Sequence, residues 1–202
     1  GGYTPSFGAQ AYDYSEVVGI RGELKNGTRF DVSGSYGVSD AQFFLNQTNN
    51  NSQGPDNLQS SFRTGDYTQS ELNFNADFSR EYEVASFYSP LNVAVGGEYR
   101  KETFEITQGE EASWIAGRFA AQGGNIGSHG FAGFSPVQTG VFDRGNLAVY
   151  VDLEADVTEK LLLNAAVRFE KFEDFGTTTN FKGAFAYKFT DTFVARASAS
   201  TG

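Results

Sequence analysis

The strongest constraint on the fold is the strict alternation of apolar and polar residues in NLAVYVDLEADVTEKLLLNAAVRFE, residues 146–170. Successive side chains of a β-strand point to opposite faces of its sheet, so this stretch predicts a strand with one apolar and one polar face. The pattern is interrupted at VTEK and then resumes, which predicts an antiparallel hairpin with a tight polar turn. The predicted apolar face carries Leu147, Val149, Val151, Leu153, Ala155, Leu161, Leu163, Ala165, Val167 and Phe169.

The same pattern recurs in three further strand pairs along the chain. The pairs are EVVGIRGEL (16–24) with RFDVSGSYGV (29–38), SELNFNADFSREYEV (70–84) with NVAVGGEYRKETFEI (92–106), and TNFKGAFAYKF (179–189) with FVARASAST (193–201). Asn26 and Gly27, between the first two strands, are a strong hairpin signal because both residue types tolerate positive φ. The sequence therefore predicts an all-β fold, an antiparallel meander of about eight strands.

Composition supports this class and excludes several others. The chain has 24 Gly, 20 Phe and 10 Tyr, which suits aromatic-rich strands better than a helical bundle. It has no Cys, so a disulfide framework and thiolate metal sites are excluded. The net charge of −10, without any run of Lys and Arg, argues against a nucleic-acid partner. No stretch is apolar for long enough to predict a transmembrane helix.

The connections between the predicted strands differ in length. Long loops rich in Gly, Asn, Gln and Ser are predicted at about 39–66 and 108–144, whereas the turns inside each hairpin are short. Structureless loops of this size are uncommon in compact soluble domains. Outer-membrane barrels have short periplasmic turns and long extracellular loops, so the alternation of lengths favours a membrane barrel.

The polar faces carry too many charges to lie inside a β-sandwich. In a soluble sandwich they would face bulk water, whereas in a large barrel they would line the lumen while the apolar faces meet lipid. Aromatic residues near the predicted strand ends, such as Tyr14, Tyr36, Tyr99 and Tyr150, favour the barrel because they are typical of interfacial girdles. The residues predicted to line the lumen are Asp77, Glu98, Arg100, Asp152, Glu154, Arg168, Glu170 and Arg196.

Several segments resemble the barrel of TonB-dependent outer-membrane receptors. They are SPLNVAVGGEYRKETFEI (89–106), AVYVDLEADVTEKLLLNAAVRFEKFEDFG (148–176), TNFKGAFAYKFTDTFVARASASTG (179–202) and GFAGFSP (130–136). The resemblance spans most of the chain and is weakest at 46–67. It implies that 1–202 is a mid-barrel part of such a receptor, a barrel of about 22 strands with a plugged lumen.

The resemblance also implies a location, a function and partners. The receptor would lie in the outer membrane of a Gram-negative bacterium, surrounded by lipid, and would take up a scarce ligand such as a metal chelate (a siderophore) or an oligosaccharide. It would obtain energy from the TonB system through a plug domain that this sequence does not include. Two alternatives are an autonomous eight-stranded membrane barrel and a soluble β-sandwich or small barrel that binds carbohydrate or protein.

Candidate binding residues lie in the second long loop, because loops on a rigid wall often carry function. An aromatic and partly cationic set, Trp114, Arg118, His129, Phe131 and Phe134, could contact a ligand or could pack the loop against itself. One His without Cys predicts no metal site, and no Ser/His/Asp set indicates an enzyme. No cofactor is predicted. The glycine-rich run 123–130 matches no phosphate-binding fingerprint and predicts a flexible loop.

Overall fold

The computed structural model describes residues 3–201 as one eight-stranded sheet in the order β1 to β8. The strands are β1 Ser6–Glu23, β2 Arg29–Asn46, β3 Ser61–Tyr82, β4 Leu91–Gln108, β5 Gly140–Thr158, β6 Leu161–Phe172, β7 Gly176–Lys188 and β8 Val194–Ser200. Each strand pairs with its neighbours in sequence, and those from β5 to β8 pair antiparallel. The predicted all-β meander of eight strands is confirmed.

Several strands are longer than the alternating pattern indicates. The first strand begins at Ser6, β2 continues to Asn46 and β3 begins at Ser61, so the long loops shorten to 47–60 and 109–139. These extra strand segments mix polar, aromatic and Gly residues without regular alternation. They form strands because their backbones hydrogen-bond to neighbouring strands, not because one apolar face is buried. The interpretation of Tyr14, Tyr36, Tyr99 and Tyr150 as strand-end residues is wrong, because all four lie within their strands.

The described residues form two compact units. The first, here called the loop unit, contains the residues up to Ser15 together with Gly37–Glu71 and Glu102–Asp143. The second, here called the hairpin unit, contains Glu16–Tyr36, Leu72–Lys101 and the residues from Arg144 onward. Both long loops therefore belong to the loop unit, and all the hairpin turns belong to the hairpin unit.

The hairpin unit has two chemically different faces. Directly opposed residues in neighbouring strands share a face, so the pairs Tyr150 with Arg168 and Val151 with Val167 define a polar and an apolar face. Large side chains of the apolar face are open, with Val149 at 51% and Phe181 at 58% exposure. The sandwich alternative is wrong, because the strands of the described chain form one sheet and no second sheet covers these side chains.

The first hairpin turn differs from the prediction in its backbone. Leu24 and Thr28 are joined by a backbone hydrogen bond of 2.8 Å, and the amide of Gly27 donates to the Leu24 carbonyl. Only Gly27 in this turn has positive φ, at +78°, so the loop is a tight turn followed by a glycine rather than a two-residue turn. At the β5–β6 turn, the Thr158 hydroxyl accepts from the amides of Lys160 and Leu161.

In the described part of the chain, the helical segments are four short 3₁₀ turns, and all lie in the loop unit. They are Asn51–Gln53, Glu111–Ser113, Ala120–Gln122 and Pro136–Gln138. Between residues 3 and 201, no helix has the length and apolar character needed to cross a membrane. These turns lie within the two long loops, 47–60 and 109–139.

Candidate functional site

The two long loops interlock through the buried side chain of Asn50. Its amide nitrogen donates to the carbonyls of Ala112 and Ile115, each at 2.9 Å, and its oxygen accepts from the amide and hydroxyl of Ser52. Asn50 is only 3% exposed. Because an unpaired buried amide is costly, this side chain fixes loop 47–60 against loop 109–139.

Ser52 continues the same junction. It is fully buried, its hydroxyl accepts from the amide of Gly117 at 2.9 Å, and its carbonyl accepts from the amide of Phe119 at 2.8 Å. On the other side of the loop, the carbonyl of buried Ser113 accepts from the amides of Ser128 and Gly133. The loops are therefore held by a core of polar groups that satisfy one another.

Glycines permit this close packing. A Cβ added to Gly117 would meet the backbone of Ser52 and Gln53, and a Cβ on Gly124 would lie 3.0 Å from the Ser52 Cα. Gly127, whose φ is +80°, would place a Cβ 2.9 Å from the Ser113 carbonyl oxygen. Glycines of the run 123–130 therefore serve close approach, as at Gly124, and positive φ, as at Gly127, while the flexibility of the run stays a prediction.

The loop unit also contains a continuous aromatic cluster, Phe7, Phe43, Tyr67, Phe104, Phe131 and Phe134. Phe134 stacks on Tyr67 with ring centroids 5.1 Å apart, and Phe131 lies 4.9 Å from Phe7. Offset and edge-on ring contacts at these separations are favourable. Phe7 remains 51% exposed, so the cluster offers an open apolar surface on a rigid support.

The structure brings together only part of the binding set predicted in the loop. Phe131 and Phe134 contact each other, with ring centroids 5.8 Å apart. The Trp114 indole instead donates to the Gly109 carbonyl at 3.1 Å, which packs the loop against itself. Arg118 forms an ion pair with Asp56 and lies over the Phe119 ring. The His129 ring contacts Tyr3 edge-on at 5.9 Å.

The polar face of the hairpin unit is built around Tyr150. Its hydroxyl donates to Asp77 at 2.7 Å and so crosses over β4 to reach β3. A Cβ on Gly96 would collide with both the Tyr150 ring and the Asp77 carboxylate. Gly96 has no side chain, and this leaves the space that the contact between Tyr150 and Asp77 needs. Because the Tyr150 hydroxyl bonds to Asp77, Tyr150 belongs to the polar face.

An ion-pair network lies beside Tyr150. Arg168 donates to Glu98 at 2.8 Å and contacts Glu170 at 3.0 Å, with its side chain about one third exposed at 33%. Arg168 does not pair with Asp152 on the neighbouring strand, since Asp152 accepts from the side-chain amide of Asn164 at 2.8 Å. Pairing across strands at partial burial favours a fixed arrangement over freely solvated charges.

The remaining residues predicted to line the lumen also lie on the polar face, but their side chains differ in how exposed they are. Register places Arg196 opposite Ala186 and Glu154 opposite Asn164, in the rows that carry the polar side chains. Both are exposed, whereas Arg100 is half-buried. The sequence patterns did not predict the role of Gly96. They also did not predict the ring contacts of Phe7, Phe43 and Tyr67, because these contacts join residues of different strands and loops.

Neither unit contains a clustered metal-ligand set among its described residues. Within residues 3–201, no group of three or more His, Cys, Asp and Glu side chains stands close enough to hold a metal ion. The geometry provides a rigid aromatic surface in the loop unit and a network of paired charges in the hairpin unit. The aromatic surface is suited to contact with an apolar or aromatic group, and the paired charges are suited to contact with polar groups.

Comparison with known proteins places this arrangement in a family. A family model described as "TonB dependent receptor-like, beta-barrel" matches residues 2–202. The chain belongs to the TonB-dependent receptor β-barrel family. This family consists of receptors and transporters rather than enzymes and is located in the outer membrane of Gram-negative bacteria.

A solved structure shares the fold of this TonB-dependent receptor segment. It is the siderophore receptor PirA from Acinetobacter baumannii, with a TM-score of 0.63 and 15% sequence identity. The match covers 95% of this chain and 25% of the PirA chain, so the present chain spans about a quarter of that receptor's length. A search of curated proteins found no match.

Proposed function

We propose that this chain forms one part of the wall of an outer-membrane receptor that actively takes up a ferric siderophore. The observation that carries the proposal is the sheet with one open apolar face and one polar face whose charges pair across strands. An apolar face without a protein partner suits lipid, and a polar face suits a barrel interior. Family membership and the shared fold with a siderophore receptor support the same function.

In this proposal the residues from 1 to 202 act as a single wall segment, and the polar face lines the lumen. Paired charges suit contact with a plug domain, because desolvated charges need partners. The wall residues are Asp77, Glu98, Arg100, Asp152, Glu154, Arg168, Glu170 and Arg196. The plug would couple the receptor to TonB, and the wall itself would carry out no bond chemistry.

Ligand capture is assigned to the loop unit. Phe131 and Phe134 present their rings within the aromatic cluster, and the interlocked loops hold them in place without further ordering. Preorganised aromatic surfaces bind with a smaller loss of conformational entropy. His129 and Arg118 flank the loops and would add polar contacts, whereas Trp114 would support the loop through its hydrogen bond to Gly109.

Uptake of radiolabelled ferric siderophores by cells that express the full-length receptor tests this function. The Phe131→Ala, Phe134→Ala double variant should lower ligand affinity about tenfold or more, since each buried aromatic contact contributes about 1 kcal/mol. Val137→Ala, at a residue of the same loop that is 92% exposed, is the matched control and should not change affinity. Uptake that persists without TonB would contradict the mechanism, and uptake of an oligosaccharide instead would replace the ligand class.

A further inference from the structure

A cleft in the loop unit is lined largely by residues with side-chain amides. Its volume is about 400 Å³, which lies within the range of small-molecule sites. The first long loop contributes Asn49 and Asn51, and the second long loop contributes Gln122 and Phe119. This cleft, here called the amide cleft, shares no residue with the aromatic cluster to which siderophore capture is assigned.

The side-chain amides of the cleft keep hydrogen-bonding groups available for a ligand. The exposed side chains of Asn51 and Gln122 form no hydrogen bond with any other described residue. The Asn49 side-chain oxygen accepts from the Tyr3 hydroxyl at 2.9 Å, whereas its nitrogen has no partner in the described part of the chain. Each amide has both a donor and an acceptor, so these side chains match a ligand whose groups also donate and accept, as hydroxyl groups do.

The amide cleft carries no net charge. None of the described charged side chains lines it, and the charges beside it neutralise each other because Arg118 forms an ion pair with Asp56. An ionised ligand would find no charged partner there to offset the water that it loses. Phe119 adds an aromatic surface, which favours contact with C–H groups. A neutral sugar has both features that the cleft requires, hydroxyl groups for the amides and C–H groups for the ring.

The two walls of the amide cleft are joined by backbone hydrogen bonds. The carbonyl of buried Ser52 accepts from the Phe119 amide at 2.8 Å, and the Ser52 amide donates to the Asn125 carbonyl at 3.1 Å. The Gly124 amide donates to the Phe119 carbonyl at 3.1 Å. A ligand therefore meets side chains on a fixed backbone, so binding costs less conformational entropy than binding to a mobile loop.

We propose that the amide cleft binds a neutral sugar unit of a glycan. The side chains of Asn49, Asn51 and Gln122 hydrogen-bond to its hydroxyl groups, and Phe119 contacts its C–H groups. The site goes beyond the proposed function, because it takes no part in siderophore capture or uptake. Two sources supply this chemistry: the sugar chains of the lipopolysaccharide that surrounds the receptor, and a free saccharide outside the cell.

Calorimetric titration of the purified full-length receptor, in micelles of a detergent without a sugar headgroup, tests the site. The titrants are maltopentaose, mannopentaose and the oligosaccharide released from the lipopolysaccharide of the same bacterium, and at least one should bind. The Asn51→Ala, Gln122→Ala double variant should weaken that binding about tenfold or more, since two hydrogen-bonding side chains are lost. Asn125→Ala removes an exposed amide of the same loop that does not line the cleft, so it should leave glycan affinity unchanged.

The same titrations identify the source of the glycan. Binding of the lipopolysaccharide oligosaccharide assigns the cleft to the cell's own surface, and binding of maltopentaose or mannopentaose without it assigns the cleft to a saccharide from outside. The proposal is overturned if none of the three binds, or if the double variant weakens binding no more than Asn125→Ala does. Its failure is separable from failure of the receptor function, because siderophore uptake is measured independently and the double variant should retain the wild-type rate of uptake.

Discussion

The loop unit and the hairpin unit are stabilised in different ways. In the loop unit, small and polar residues such as Asn50, Ser52 and Ser113 are buried and hydrogen-bonded, and glycines allow the backbones to approach closely. In the hairpin unit, large apolar side chains such as Val149 and Phe181 are open on one face. The loop unit thus carries its own core, whereas the hairpin unit presents an apolar surface that suits a lipid environment.

This difference determines how each unit responds to substitution. A buried polar core depends on a few specific atoms, so single changes there should be costly. A sheet with an open face distributes its stability over many backbone pairs, so single side-chain changes should cost less. Matched variants in the two units should therefore differ in how much stability they lose.

Asn50→Ala should have the largest effect. It removes both hydrogen bonds to loop 109–139 and leaves two partly buried carbonyls unpaired, at a cost of about 3 kcal/mol in the stability of the loop unit. In hydrogen-exchange mass spectrometry, the amides of Ser52 and Phe119 should exchange more than about 100-fold faster. Asn51→Ala, at the exposed neighbouring position, should leave the exchange unchanged. Equal exchange in both variants would show that Asn50 does not lock the loops.

Gly117→Ala should have the second largest effect. The added methyl group would collide with the backbone of Ser52 and Gln53, which cannot move without breaking the loop core, so we expect a loss of about 2 kcal/mol. Gly183→Ala is the matched change in the hairpin unit, where nothing lies within 4 Å of the added Cβ. Its stability should be unchanged or slightly higher, because alanine loses less backbone entropy on folding. Urea unfolding of the full-length receptor measures both, and comparable losses would remove the contrast between the units.

Tyr150→Phe should have the smallest effect. It removes one hydrogen bond to Asp77 while keeping the ring over Gly96, so the hairpin unit should lose about 1 kcal/mol. Tyr99→Phe is the control, since Tyr99 is 40% exposed and lies on the apolar face of β4. The same urea titration should detect a loss at Tyr150 and none at Tyr99. A loss of about 3 kcal/mol or more would mean that the polar face, like the loop unit, depends on single atoms.

The alternation of residues was sufficient to predict the hairpin unit. The strands from β5 to β8 lie where apolar and polar residues alternate, with both faces composed as predicted, although β5 begins at Gly140, inside the predicted loop, and β7 at Gly176, before the predicted strand. This succeeds because a strand with two different environments must alternate with period two. The partners of Arg168 were not predictable, since choosing Glu98 over Asp152 depends on the reach of side chains across two strands.

The alternation of residues did not predict most of the loop unit. Strand segments such as 6–15 and 39–46 have no strict alternation, and the loops consist of residues that usually indicate disorder or flexibility. What orders them is a set of contacts between positions far apart in sequence, such as Asn50 with Ala112 and Thr48 with His129. No local pattern encodes such pairs, although asparagine and glycine enrichment in two long loops was a visible signal.

Spin labelling of single cysteines at Val151 and Asp152 in the receptor embedded in lipid bilayers tests the central claim most directly. These neighbouring residues of β5 lie on opposite faces, and the chain described here contains no native cysteine to interfere. The label at position 151 should be relaxed mainly by oxygen, which partitions into hydrocarbon, and the label at 152 mainly by a water-soluble nickel chelate. Relaxation of the label at 151 by the nickel chelate, or of the label at 152 by oxygen, would contradict the assignment of the two faces.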